Sequence, residues 1–117
     1  GADLRHFTLS SDGNAGIGIL DAQGQLIGFK KAPIDLNLWN VQQLLRETDV
    51  PSELAFGLVT SGPARTMGLK RKGHLAQGMD ADACFFDDQW NLAGVVSRGE
   101  ILMWGGDLRT QGNFPRA

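Results

Sequence analysis

Two textures alternate along the chain. Short apolar runs cut by glycines and turn residues occupy both ends, and a stretch of helical period lies between them. The first run, Phe7-Thr8-Leu9, passes through Ser10-Ser11 into Asp12-Gly13-Asn14, a pattern that predicts a strand ending in a loop. Next, Gly18-Ile19-Leu20 and Gln25-Leu26-Ile27-Gly28-Phe29 flank Asp21-Ala22-Gln23-Gly24, which predicts a hairpin. Lys30-Lys31-Ala32-Pro33 breaks the pattern, and from Asp35 the period changes. Leu38, Val41, Leu44 and Leu45 recur at spacings of three and four beside Trp39, with Gln42, Gln43, Arg46 and Glu47 opposite. This is an amphipathic helix, with Asp35 as its N-cap and Asp49-Val50-Pro51 as its end.

Ser52 is placed to cap a second helix over Leu54–Val59, and Glu53 suits its positive end. Thr60-Ser61-Gly62-Pro63 interrupts, with Pro63 at the first position of a short third helix, Ala64–Met67, that stops at Gly68. After Gly73 the pattern turns to β: a short His74-Leu75, then Ala81–Phe86, a turn at Asp87–Asn91, and Leu92–Val96 and Glu100–Trp104 around Ser97-Arg98-Gly99. Gly105-Gly106-Asp107 closes the last hairpin, and the tail from Arg109 is polar. The order is strand, hairpin, helices, β-meander. One strand-helix unit cannot cover both faces of its strand. The pattern therefore predicts a piece of a larger fold in preference to a self-contained α+β domain.

Composition narrows the function classes. With 117 residues, 42% hydrophobic and 21% charged, the chain suits one globular domain of ordinary size. The net charge is −2 and no basic stripe is present, which argues against a nucleic-acid or membrane-surface partner. Lys70-Arg71-Lys72 reads as a solvated turn. The one cysteine, Cys84, lies in an apolar run and is expected to pack as a small hydrophobe. No apolar stretch approaches the ~18 residues of a membrane span. The start does not look like a signal peptide and lacks Met, so the chain is expected to be processed or part of something longer, and cytoplasmic. Asp12, sterically open before Gly13, could be a metal ligand, a general base or a turn residue.

The series Asp12, then Thr60-Ser61-Gly62-Pro63-Ala64-Arg65, then Lys72-Gly73-His74-Leu75-Ala76-Gln77-Gly78-Met79-Asp80-Ala81-Asp82-Ala83 resembles the C-terminal part of a metal-dependent amidohydrolase. Thr8-Leu9-Ser10-Ser11-Asp12-Gly13-Asn14 narrows the likeness to isoaspartyl dipeptidases. The resemblance implies an α/β plus β fold. Residues 1–68 would be the last strand and closing helices of a (β/α)8 TIM-type barrel, and residues 69–117 strands of a small β-sandwich. A whole barrel needs ~250 residues, more than this chain has. The resemblance implies that Asp12 is both catalytic and a metal ligand, one of the groups around two divalent metals, zinc by family habit, and that it shuttles a proton in hydrolysis of β-aspartyl dipeptides. It further implies that the N-terminal remainder supplies the other ligands, that the whole enzyme is a homo-oligomer, and that this chain alone binds no metal. His6 and His74 lack ligand spacing, and Asp80 and Asp82 read as turn and capping carboxylates. Gly16 stands where the family has a substrate-contacting serine, which leaves open a related amidohydrolase with a different amide substrate, and no substrate-binding residue is assigned.

Two readings follow. In one, the chain is the C-terminal portion of such a hydrolase and is inactive alone. In the other, it is a free-standing structural or interaction module without the chemistry.

Overall fold

The computed structural model describes residues 2–109. They form two compact units, divided between Val59 and Thr60. The architecture is mixed α/β with two antiparallel sheets.

The first unit opens with a 3-10 turn, Leu4–His6, where the Asp3 carboxylate accepts the Arg5 amide at 3.0 Å. The chain then runs extended at Phe7, but the strand predicted over Phe7–Leu9 is not formed. A strand needs a ladder partner. Here the Leu9 amide instead donates to the Leu58 carbonyl at 2.9 Å, at the end of a helix. The predicted hairpin is present as β1 (Gly16–Leu20) and β2 (Leu26–Lys31), pairing Gly16 with Lys31 and Gly18 with Phe29, with a bulge at Ile19/Leu20. Helix α1 (Leu36–Glu47) buries Val41, and the other buried apolar side chains of this unit are Ala32, Ala55 and Leu58.

The helix ends differ from the predicted caps. Asp35 occupies the N-cap position of α1 but its side chain makes no capping bond. Its ψ of 6° is not the extended value that turns a capping oxygen onto the first amides. At the other end the Thr48 hydroxyl and amide both bond the Leu44 carbonyl, at 2.6 and 3.2 Å. Helix α2 (Ser52–Gly57) starts one residue earlier than a Ser52 cap requires, because Pro51 is the N-cap and its carbonyl takes the Leu54 and Ala55 amides at 3.0 Å.

In the second unit α3 spans Ser61–Thr66, so Pro63 is its third residue, still in the first turn where a missing N–H costs nothing. The predicted stop holds: Gly68 has φ +68°, its amide bonds Arg65 O at 3.2 Å, and the Leu69 amide bonds Ala64 O at 2.8 Å. These are the two bonds of a Schellman motif. His74-Leu75 is a bend with no β pairing, and Ala81-Asp82 precedes the strand. The strands β3 (Ala83–Phe86), β4 (Leu92–Ser97), β5 (Glu100–Trp104) and β6 (Asp107–Leu108) form a meander in that order; β6 was not anticipated. Cys84 is exposed on β3, contrary to the expectation of a packed thiol. A short strand alternates its faces, and Cys84 sits opposite Val95.

Apolar surface remains uncovered. Leu20, Leu26, Ile27 and Phe29 of the hairpin are 56 to 69% exposed. A two-stranded hairpin is marginal in water unless something packs on it. Among the described residues no helix is long and apolar enough to cross a membrane.

Candidate functional site

Residues 10–15 form the root of the β1–β2 hairpin. The Ala32 amide donates to Ala15 O at 2.8 Å and the Asn14 amide to Ala32 O at 3.1 Å, so the ladder continues past its last strand pair. Two serine hydroxyls shape what precedes it. Ser10 Oγ accepts the Asp12 amide at 3.3 Å, and Ser11 Oγ accepts the Gly13 amide at 3.2 Å. The Ala15 amide closes back on Asp12 O at 3.0 Å. Within these bonds Asp12 takes φ +49° and Asn14 φ +66°, the left-handed region that Asn and Asp tolerate better than most residues. Gly13 lies against Ile34: a Cβ added there would sit 3.2 Å from both Ile34 Cγ2 and Ser11 Oγ.

The carboxylate of Asp12 is set apart by comparison with two other aspartates. Asp21 Oδ1 accepts the Gln23 and Gln25 amides at 2.9 and 2.8 Å. Asp87 Oδ1 accepts the Gln89 and Asn91 amides at the same two distances, and Asp87 Oδ2 takes the Asn91 side-chain amide at 3.0 Å. Those carboxylates build turns. Around Asp12 the amides of residues 12 to 15 all go to other acceptors, and its exposed carboxylate has no bonded partner among the described residues.

Three further aspartates, Asp3, Asp80 and Asp82, are engaged in ion pairs. Arg5 grips Asp3 through two nitrogens, its Nη2 at 2.7 Å, and holds that carboxyl down at about 2. His6 Nε2 lies 3.8 Å from Asp3, and both His6 and His74 are exposed. Asp80 and Asp82 do more than cap turns. Lys72 pairs with both, at 3.0 Å to Asp80 and in a short contact to Asp82, while Arg71 reaches Asp80 at 2.7 Å. Lys72 is therefore not the merely solvated residue its basic run suggests.

Among the described residues no group of three or more His, Cys, Asp or Glu side chains could hold a metal ion. A catalytic zinc takes about three protein ligands. Asp12 fits as one oxygen ligand, because its carboxylate is unengaged, and further ligands are not found beside it. An open depression of about 390 Å³ lies beside α1, lined by Leu9, Asn40, Gln43, Leu44, Glu47 and Thr48, without Asp12. The serine pair was not singled out from the sequence. The signal was available, since hydroxyl side chains bond amides two residues on.

No family model matches the chain. Solved structures do. A β-aspartyl dipeptidase from Fervidobacterium islandicum AW-1, crystallised with a β-Asp-Leu dipeptide, is 28% identical with a TM-score of 0.81; the match covers 95% of this chain and 30% of that one. A second structure of β-aspartyl dipeptidase from the same organism is 28% identical with a TM-score of 0.74, covering 95% of this chain and 26% of that one. An N-acetylglucosamine-6-phosphate deacetylase from Pasteurella multocida shares the fold, at 23% identity and a TM-score of 0.55, over 77% of this chain and 22% of that one. The chain thus spans less than a third of the length of the structures it matches.

Proposed function

We propose, on the premise that this chain is similar to the β-aspartyl dipeptidases of the amidohydrolase superfamily, that it is the C-terminal portion of a metal-dependent hydrolase that cleaves the side-chain amide of β-aspartyl dipeptides. The neighbours are hydrolases, and that supports hydrolase activity in the parent protein. The observation that carries the residue-level reading is the Asp12 carboxylate, which accepts no amide while Asp21 and Asp87 each accept two.

In this reading Asp12 is the single metal ligand and the single catalytic group that the chain contributes. When bound, the metals, zinc by this proposal, supply a water acidic enough to lose a proton near neutral pH. One Asp12 oxygen accepts that proton as the water attacks the amide carbonyl. The same carboxyl then returns it to the departing amine nitrogen as the C–N bond breaks, which leaves Asp12 ionised for the next cycle. The other ligands come from the remainder of the polypeptide. That remainder, or a second copy in a homo-oligomer, also covers the exposed β1–β2 hairpin.

A second reading keeps the reaction and changes the amide. Gly16 has no side chain to touch a substrate, although a Cβ there would meet only Phe29 Cδ1 at an ordinary 3.5 Å. Space alone therefore does not demand glycine at this position. The experiment is to assay the whole protein, loaded with zinc, on β-Asp-Leu and on its α-linked isomer. Preference for the β-linked peptide supports the first reading. Turnover of the α-linked peptide alone supports the second, and turnover of neither removes the first.

A further inference from the structure

We infer that Ser10 and Ser11 are positioning residues for Asp12, acting by holding the left-handed turn that keeps its carboxylate off its own loop. The inference rests on the proposed role of Asp12 and deepens it. An aspartate in a tight turn ordinarily folds its carboxylate onto nearby amides. Asp21 and Asp87 do so here, and each accepts amides two and four residues ahead. Asp12 does not, because the amide two residues ahead is taken by the hairpin and the turn itself is held by the two hydroxyls. Ser10 Oγ takes the Asp12 amide, Ser11 Oγ the Gly13 amide, Ala32 O the Asn14 amide and Asp12 O the Ala15 amide.

Two of those acceptors are backbone carbonyls fixed by the hairpin. The other two are hydroxyls, and only they can be removed by substitution. Their bonds also define the loop path. They turn the chain through the left-handed Asp12 and bring Gly13 against Ile34, where an added Cβ would be tight at 3.2 Å. Without the hydroxyls, the Asp12 and Gly13 amides lose their acceptors and the Asp12 backbone can relax from φ +49°. A carboxylate on a relaxed loop is no longer held in place for an external cation or proton.

The test uses the whole protein that contains these residues. The Ser10→Ala and Ser11→Ala variants are compared with wild type in the rate of zinc loss to an excess of chelator, and in kcat and KM for β-Asp-Leu. Groups that orient a metal ligand typically change affinity or activity by about 10- to 100-fold. The expected result is faster zinc loss and a lower kcat by factors in that range, with KM unchanged. The Ser10→Thr variant, which keeps the hydroxyl, restores both. Wild-type zinc loss and kcat in the Ser10→Ala/Ser11→Ala double variant would overturn the inference, as would a Ser10→Thr variant no better than Ser10→Ala. An Asp12→Asn control separates the two levels. If it retains hydrolysis and zinc, the catalytic reading of Asp12 fails. If it loses both while the serine variants are silent, only the positioning role fails.

Discussion

The Arg98 amide donates to the Asp82 carboxylate at 2.8 Å across sixteen positions of sequence. Because Lys72 pairs with the same carboxylate, one side chain ties the loop before β3 to the β4–β5 turn. The Gly99 amide adds a backbone bond to Ala81 O at 2.9 Å in the same place. Lys72 first, and then the Arg98 amide, hold Asp82 below the usual carboxylate range; Lys72 and then Arg71 do the same for Asp80.

The pH dependence follows from those directions. A depressed folded-state value means that the unfolded chain takes up protons first on acidification. The stabilisation is therefore present above about pH 4 and is lost as pH falls through the lower folded-state values. Lys72, raised by Asp82 and then Asp80, works in the opposite sense: its contribution is complete below its ordinary value and fades as pH climbs through the raised one. Asp82→Asn is expected to lower the melting temperature at pH 7, with the gap to wild type narrowing as the pH is taken well below about 4. Faster hydrogen exchange at the Arg98 amide should accompany it. A gap that does not narrow would show that the ion cluster is not its source.

Gly94 forms the floor beneath an aromatic pair. It lies opposite Phe85 on β3 and Trp104 on β5, and those two rings meet edge to face at 5.3 Å. A Cβ on Gly94 would come within 2.6 Å of Trp104 Cε3. Gly94→Ala must therefore push the indole off the sheet. The expected cost is about 1–3 kcal/mol, the usual range for overpacking. A changed Trp104 emission should be visible in a variant where Trp39 and Trp90 are replaced by Phe. Unaltered emission and stability would mean that the ring does not rest on the glycine.

The three aspartate loops should separate stability from function. Asp21→Ala and Asp87→Ala each strand two backbone amides and are expected to cost about 1–2 kcal/mol, as loss of a capping side chain does. Asp12→Gly, which adopts φ +49° without strain, loses no bonded partner seen here and should stay within about 0.5 kcal/mol of wild type. Chemical denaturation of the three variants provides the comparison. If Asp12→Gly proves as costly as the other two, the Asp12 carboxylate is a turn-former.

The 117-residue chain on its own is expected to bind no stoichiometric zinc and to hydrolyse no β-aspartyl dipeptide, since one carboxylate falls short of the about three ligands a catalytic zinc takes. Its uncovered hairpin should make it self-associate as concentration rises. Isothermal titration with zinc and sedimentation at several concentrations test both expectations. Tight one-to-one zinc binding by a monomer would refute them.

What could be read from the sequence was local. The Leu38–Leu45 period gave α1, the turn chemistry around Asp21 and Asp87 gave two hairpins, and Gly68 gave a helix stop. These depend on residues close in sequence, and neighbours alone decide them. Most errors lie where distant partners decide. Phe7–Leu9 has strand composition, but its amide at Leu9 finds a helix end. One error is local: Ser52 has the chemistry of a cap, but the carbonyl of its neighbour Pro51 already accepts the first amides. The Lys72, Asp80 and Asp82 cluster joins positions ten apart, and single-residue turn rules cannot see it. At the site, Asp12-Gly13 marked the loop, while the role of Ser10 and Ser11 became visible only once every amide in the loop had an assigned acceptor.

The central claim is that Asp12 is held free for chemistry and does not support the fold. Asp12→Asn keeps the size of the side chain and its tolerance of positive φ, and removes only the charge and the proton-accepting oxygen. The direct measurement is kcat for β-Asp-Leu in the zinc-loaded whole protein, taken alongside its melting temperature. The account predicts a loss of at least about 100-fold in kcat, at the low end of what a general acid–base group supplies, with the melting temperature of the metal-free protein unchanged. Full activity in that variant, or lost activity accompanied by a falling melting temperature, would contradict it.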